Sequence, residues 1–303
     1  MRFKLRQPVA LARAAALLLL GPSLFVLLGA ASSATATPLI AAWELDGAPT
    51  GSLAQTAVDS GPNGFDGVLG DTAAVEATDP TRFTEGAVKG MSFSAVPTYV
   101  LGPADPLLEP AQVTVELRAR GSAPAGSSGS LGNFRYLLSK PGLFSAAYGL
   151  TTGGDGGIHF QMEWGSSSTA KILPGIGPSP SGPWDGQWHE FIGSYDGQRA
   201  QLWVDGTMVQ ELAFSSPVPF AYNPGAPLRI GALNGAGGSF SSENGFIGDI
   251  DYVHLYDQAL TPTEIQALSV PEPGTLLLVA FGLGALAGRR HGWGGERDLR
   301  RSG

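Results

Sequence analysis

Between residues 37 and 268 the chain alternates short apolar runs with turn-forming pairs. The pattern is clearest around two Asp-Gly dipeptides, Asp196-Gly197 and Asp205-Gly206. Asp-Gly enters positive φ at little cost, so β-rich runs on either side of it read as hairpins. This predicts a three-stranded meander over 188–195, 199–204 and 207–212. Similar runs predict strands over 40–45, 87–93, 99–101, 112–120, 136–140, 148–152, 158–163, 228–232 and 248–256. One helix has a start signal. Thr261 can cap it, Pro262 fits its first position, and Glu264 completes a capping box ahead of Ile265 and Leu268. Many short strands with one small helix predict an all-β fold, a jelly-roll sandwich of two antiparallel sheets. Residues 121–130 (GSAPAGSSGS) read as a flexible loop. No long repeat is present, which argues against a propeller or solenoid.

The two ends have a different texture. Arg2, Lys4, Arg6 and Arg13 precede an apolar run over 14–30, and Ala34 and Ala36 then stand as A-x-A. That order is a secretory signal peptide with cleavage expected after Ala36. At the other end, Pro271-Glu272-Pro273 blocks regular structure, because proline lacks an N–H and restricts the residue before it. An uncharged run over 275–288 follows, then Arg289-Arg290 and a further tail. As a helix this run is about 21 Å long, short of the roughly 30 Å hydrocarbon core. It fits a transient insertion in the inner membrane with the arginines left in the cytoplasm. The expected division is therefore a signal peptide over 1–36, one domain over 37–268 and a C-terminal segment over 269–303.

Charge sharpens the picture. The chain as a whole carries −8, but residues 37–268 hold 23 acidic and 9 basic side chains, a net of −14. Such a field disfavours nucleic acid and anionic lipid and is compatible with cations and neutral sugars. There is no cysteine, so neither disulfides nor thiolate chemistry is available. The 44 glycines and 23 prolines punctuate apolar runs and read as turns.

Two resemblances follow from these residues. Pro271-Glu272-Pro273, the apolar run and Arg289-Arg290 together resemble the PEP-CTERM sorting signal of exported bacterial proteins. That resemblance implies an exosortase-type processing enzyme as partner, and a destination at the cell surface or in the extracellular matrix of a Gram-negative-type bacterium. The domain is similar to LamG-like, concanavalin A-like jelly rolls. The likeness lies in Ala42-Trp43-Glu44-Leu45-Asp46-Gly47, in Asp59-Ser60-Gly61-Pro62-Asn63-Gly64-Phe65-Asp66-Gly67, and in Val113-Thr114-Val115-Glu116-Leu117. It continues in Gly186-Gln187-Trp188-His189, Tyr195-Asp196-Gly197, Leu202-Trp203-Val204-Asp205-Gly206, Leu228-Arg229-Ile230-Gly231 and Phe246-Ile247-Gly248-Asp249-Ile250-Asp251-Tyr252-Val253. Glu190 stands where that family carries a second histidine, and Leu117 where it often carries tryptophan. The resemblance implies that the strands at 40–45 and 248–256 lie side by side.

Catalytic patterns are absent. Glucanases of this fold carry an E-x-D-x-E strand, and the nearest stretch, Phe160-Gln161-Met162-Glu163-Trp164, has one carboxylate. His189 and His254 lie on expected strands and read as hydrogen-bonded strand histidines. Metal-protease, nucleophile-elbow and phosphate-loop motifs are missing. The expectation is a non-catalytic protein that binds glycan or exopolysaccharide, or mediates adhesion. The rivals are a carbohydrate hydrolase or lyase on the same fold, and a purely structural matrix protein. Sugar binding needs aromatic faces on loops, and Trp164, Trp184 and Tyr222 lie beside Gly/Ser/Pro stretches. Trp188 and Trp203 are expected in the core. Ca²⁺-bearing relatives imply a structural calcium site from Asp251 together with Asp46 and Asp59.

Overall fold

The computed structural model describes residues 39–46, 54–94, 98–121, 134–152, 157–165, 183–233 and 245–269, with the backbone of 169–174. The chain divides after Ala36 into two units, and every described residue belongs to the second. The expected cleavage residues Ala34 and Ala36 lie outside the described residues. So do Pro271, Glu272, Pro273, the 275–288 run, Arg289 and Arg290. Among the described residues no helix is long and apolar enough to cross a membrane.

Sixteen strands are described. In chain order they are β1 (Leu39–Trp43), β2 (Thr56–Ala57), β3 (Gly67–Leu69), β4 (Thr81–Glu85), β5 (Val88–Phe93), β6 (Val100–Leu101), β7 (Val113–Gly121) and β8 (Arg135–Pro141). Then follow β9 (Ala146–Thr152), β10 (Ile158–Trp164), β11 (Thr169–Pro174), β12 (His189–Tyr195), β13 (Arg199–Val204), β14 (Thr207–Ala213), β15 (Arg229–Ile230) and β16 (Gly248–Tyr256). Helix α1 (Pro262–Leu268) comes last. One sheet runs β14-β13-β12-β7-β16-β5-β4, with β1 also paired to β16. The other runs β11-β10-β9-β8-β15-β6-β3-β2. Every strand pairing is antiparallel. This is the expected jelly-roll sandwich, and its first and last strands are neighbours: Trp43 faces Val253 and Ala42 faces His254.

The core forms where the two sheets meet. On β7 the alternate residues Val113, Val115, Leu117 and Ala119 are fully buried. They pack with Phe191 and Leu202 of neighbouring strands and with Phe160 and Leu150 of the opposite sheet. Each such side chain contributes roughly 1.5–3 kcal/mol by leaving water. Spacing between the sheets is tight. A Cβ on Gly193 would collide with the Phe160 ring, so only glycine lets that ring lie against β12.

A second, smaller core lies on the outer side of the first sheet. Ile192, Trp203, Tyr256 and Leu260 pack there with Ile265 of α1. The helix begins as its sequence demands. The Thr261 side chain accepts from Glu264 N–H, and the Glu264 carboxylate accepts from Thr261 N–H at 2.7 Å. Trp203 is thus buried, as expected, but beneath α1 rather than between the sheets. The strands missed by sequence reading are β2, β3, β4 and β11. Two of them have two or three residues, too few for any period to show.

Candidate functional site

Strand register writes the chemistry of the outer face. Residues outward of β7 are Thr114, Glu116, Arg118 and Arg120, the alternates of its buried set. Glu190 of β12 faces Arg118, and so does Tyr252 of β16. These three residues form one row across three strands. The next row holds Ile192, Glu116, His254 and Ala42. On the other side stand Arg120, Asp249 and Ser92.

A groove of about 450 Å³ opens over the Glu190–Arg118–Tyr252 row. Trp188, Asp205, Leu268 and Ser269 complete its wall. Trp188 enters one residue before β12. It is half-buried rather than in the core, which corrects the expectation from its position. Arg118 and Arg120 lie over its ring at 5.2 and 4.7 Å, and Phe83 stacks on it at 6.0 Å. Asp205 comes from the β13–β14 turn, where its φ of 49° and Gly206's of 69° give the tight Asp-Gly hairpin. Its Oδ1 accepts from Glu190 N–H at 3.0 Å, and its Oδ2 lies 2.7 Å from His189 Nδ1.

Glu190 is the group with most chemical latitude. Tyr252 Oη donates to it at 3.2 Å, and Ser269 Oγ donates to its other oxygen. Burial and the nearby Glu116 carboxylate push its pKa above the usual carboxylate range, against those two hydrogen bonds. Glu116 itself is buried and accepts from Tyr256 Oη at 2.6 Å. His254 lies between Glu116 and Glu44, at 3.2 and 3.0 Å. Burial works to lower the His254 pKa, but hydrogen bonds to Glu116 and Glu44 outweigh it and push it up to about 9. His189 is held likewise by Asp205 and Asp185. Both histidines are therefore hydrogen-bonded strand residues.

The residues expected at a sugar site lie elsewhere and are packed. Trp184 is buried against Phe191 and Phe246, with ring centroids at 5.3 and 5.8 Å. Trp164 meets Phe214 edge-on at 5.1 Å. Tyr222 donates to Pro110 O at 2.7 Å and packs edge-on against Tyr148. Trp184 is buried and Trp164 and Tyr222 are half-buried among other rings, and none of the three lines the groove. Trp164 closes strand β10, and Trp184 stands a few residues ahead of β12.

The calcium ligand set is not brought together. Asp59 Oδ1 accepts from the N–H groups of Ala42 and Gly61, at 2.7 and 2.8 Å. Its Oδ2 accepts from Phe65 N–H at 2.6 Å. Asp251 is paired with Arg118 at 2.6 Å. Glu44 and Asp46 bear on the Asp251 carboxyl electrostatically, yet burial is the largest influence raising its pKa. Among the described residues no three acidic or histidine side chains converge as ligands. The Asp59 carboxylate is held by backbone N–H groups and that of Asp251 by a guanidinium, so these two are already engaged. Glu163, the one carboxylate of the glucanase-like stretch, is buried and accepts from Phe144 and Ser145 N–H at 3.0 and 2.7 Å.

Sequence reasoning did not select Arg118, Glu190, Asp205 or Tyr252. Two signals were available. Charges alternate along an otherwise apolar β7, and Glu190 is the position where the chain departs from its family's second histidine.

Comparison with known proteins agrees with this fold. The profile of the concanavalin A-like lectin/glucanases superfamily matches residues 98–266, and the chain belongs to that superfamily. The PEP-CTERM protein-sorting motif matches residues 269–290, which implies export and handling by an exosortase-type system in a Gram-negative-type bacterium. No curated protein matches the chain. Among solved structures, one similar chain is domain 4 of AbnA, an extracellular arabinanase from Geobacillus stearothermophilus, in complex with arabinotriose. It is 17% identical, with 77% of this chain and 99% of that one covered and a TM-score of 0.49. The binding domain of Paraclostridial Mosquitocidal Protein 1 is 11% identical, with 77% and 52% covered and a TM-score of 0.57. Trypanosoma rangeli sialidase, in complex with the inhibitor DANA, is 15% identical, with 78% and 33% covered and a TM-score of 0.50. The chain thus spans about half the length of the second and a third of the last. At these identities the likeness is one of fold.

Proposed function

We propose that this chain is an exported, non-catalytic glycan-binding protein of the cell surface or extracellular matrix, and that it binds glycan in the groove over the Glu190–Arg118–Tyr252 row. The observation that carries the reading is the composition of that groove. Hydroxyl-seeking groups (Glu190, Asp205, Arg118 and the Tyr252 phenol) converge beside the Trp188 and Tyr252 rings. They stand on or beside paired strands, which fix their spacing. The sorting motif supports a destination outside the inner membrane, where polysaccharide is the abundant polymer.

Hydrolysis is the weaker reading because a glycosidase needs two carboxyl groups free to reach one bond. Glu190 can reach the groove. Glu116 is buried under Tyr256 and His254, and Asp205, though it lines the groove, has its two oxygens engaged by Glu190 N–H and His189. A glycan array with the purified protein tests the proposal, with Trp188→Ala and Glu190→Gln as groove variants. Binding that both variants weaken supports it. Retention on no glycan sinks it, and so does binding untouched by either variant. Release of reducing ends from a bound oligosaccharide would favour the hydrolase instead.

A further inference from the structure

The charges around the groove say which glycan it takes. We infer that its ligand carries a protonated amine, as in a glucosamine-containing polysaccharide, and that this ammonium seats against Glu190. The inference rests on the glycan-binding reading above and deepens it.

The argument begins with the charges facing Glu190. From β7, Arg118 and Glu116 are its neighbours; from β16, Tyr252; from the β13–β14 turn, Asp205; from the end of α1, Ser269. The guanidinium of Arg118, the groove's cation, is already engaged by Asp251 at 2.6 Å. Its flank also lies over the Trp188 ring. Among the described residues no basic side chain forms an ion pair with Glu190. Its partners are two hydroxyls; Glu116 and Asp205 are of its own sign, and Arg118, the cation opposite it, is paired with Asp251. A half-buried carboxylate in that position is without an ion pair of its own. Burial, and after it Glu116, raise its pKa.

Each class of sugar meets this arrangement differently. A uronate or other acidic sugar would bring a third anion beside Glu190 and Asp205, with Glu116 behind them. A neutral sugar would trade hydrogen bonds with water for hydrogen bonds with the same groups, a modest net gain for each. An ammonium would form a charge-assisted hydrogen bond with a carboxylate that has no cation of its own, roughly twice as strong as a neutral one. The net charge of −14 over residues 37–268 draws the same polymer toward the domain.

The test compares three oligosaccharides of equal length on the full-length protein by calorimetry: one of glucosamine, its N-acetylated counterpart, and one of glucose. The glucosamine oligomer is expected to bind about tenfold more tightly than the other two at neutral pH and low salt, with the gap narrowing at high salt. Glu190→Gln should abolish the gap while leaving the melting temperature unchanged or raised. Asp205→Asn keeps the turn and should narrow the gap part-way. On acidification the preference should first rise as the amine becomes fully protonated, and then fall as Glu190 takes up a proton. Equal affinity for the amine and the acetamide overturns the amine inference alone, since glycan binding would stand. A preference that survives Glu190→Gln also overturns it. Failure of all three oligosaccharides to bind overturns both readings.

Discussion

Arg118 Nη1 donates to Asp251 Oδ2 at 2.6 Å because β16 carries one residue more than β7 can match. The register steps from Ile250 opposite Ala119 to Tyr252 opposite Arg118, leaving Asp251 as the extra residue. A bulge of this kind turns two neighbouring side chains toward one side of a strand. Here it sets both Asp251 and Tyr252 beside Arg118, so one local irregularity builds the ion pair and one wall of the groove.

Removing that pair should have a modest, measurable effect. Asp251→Asn is expected to cost about 1 kcal/mol, since the pair is half-buried and the guanidinium keeps its contact with Trp188. Urea unfolding checks this. The same variant separates two roles for Asp251. If millimolar calcium raised the melting temperature of the wild type and not of Asp251→Asn, Asp251 would be a calcium ligand rather than the partner of Arg118.

How much of this was legible beforehand depended on how far each signal reached along the chain. The meander around Asp196-Gly197 and Asp205-Gly206 was readable because each turn lies within a few residues of its strands. Helix α1 was readable because Thr261, Pro262 and Glu264 are a local code. The pairing of β1 with β16 came from resemblance, since nothing local links residues more than 200 positions apart. The groove was not legible in the same way. Glu190, Arg118 and Tyr252 come from three strands, and Tyr252 faces Arg118 only through the bulge at Asp251. The contacts of the aromatics at 164, 184 and 222 were not legible either, because Trp164 meets Phe214 and Trp184 meets Phe246 across long stretches of chain.

Asp59 holds the turn that follows β1. Its two oxygens take three backbone N–H groups, from Ala42, Gly61 and Phe65. Asp59→Ala would leave these donors without a partner in a largely buried place. The expected loss is about 3 kcal/mol or more, from at least two charge-assisted hydrogen bonds. Asp59→Asn keeps one acceptor oxygen and should lose less. Denaturation midpoints of the two variants check the order, and an Ala variant within about 1 kcal/mol of wild type would contradict it.

Gly193 should tolerate no side chain. The Phe160 ring occupies the space a Cβ would need, and both residues belong to the closed part of the core. Gly193→Ala is expected to cost about 1–3 kcal/mol by overpacking. Shortening the ring should relieve the collision, so Gly193→Ala combined with Phe160→Leu should be less destabilised than the sum of the two single changes. Strict additivity in that double-mutant cycle would show that the two positions do not press on each other.

The pH dependence of stability tests the row beneath the groove. His254 has a folded pKa of about 9, above the ordinary histidine value of about 6.5. The folded state therefore holds this proton more tightly than the unfolded one. Its contribution is fully present below about pH 6.5 and is lost as pH rises through about 9, with a ceiling on the order of 3 kcal/mol. The groups that set it are Glu116 of β7 and Glu44 beyond β1, with the Tyr252 ring stacked on the imidazole at 4.6 Å. His189 has a raised pKa too, so it contributes in the same direction and must be separated. His254→Gln does this, because it leaves Asp185, His189 and Asp205 in place. Unfolding free energies measured from pH 6 to 9.5 should fall steeply for wild type and much less for His254→Gln, the curves approaching one another at the alkaline end. Parallel curves across that range would mean that His254 carries no more charge in the folded chain than in the unfolded one, and that Glu116 is satisfied by Tyr256 alone.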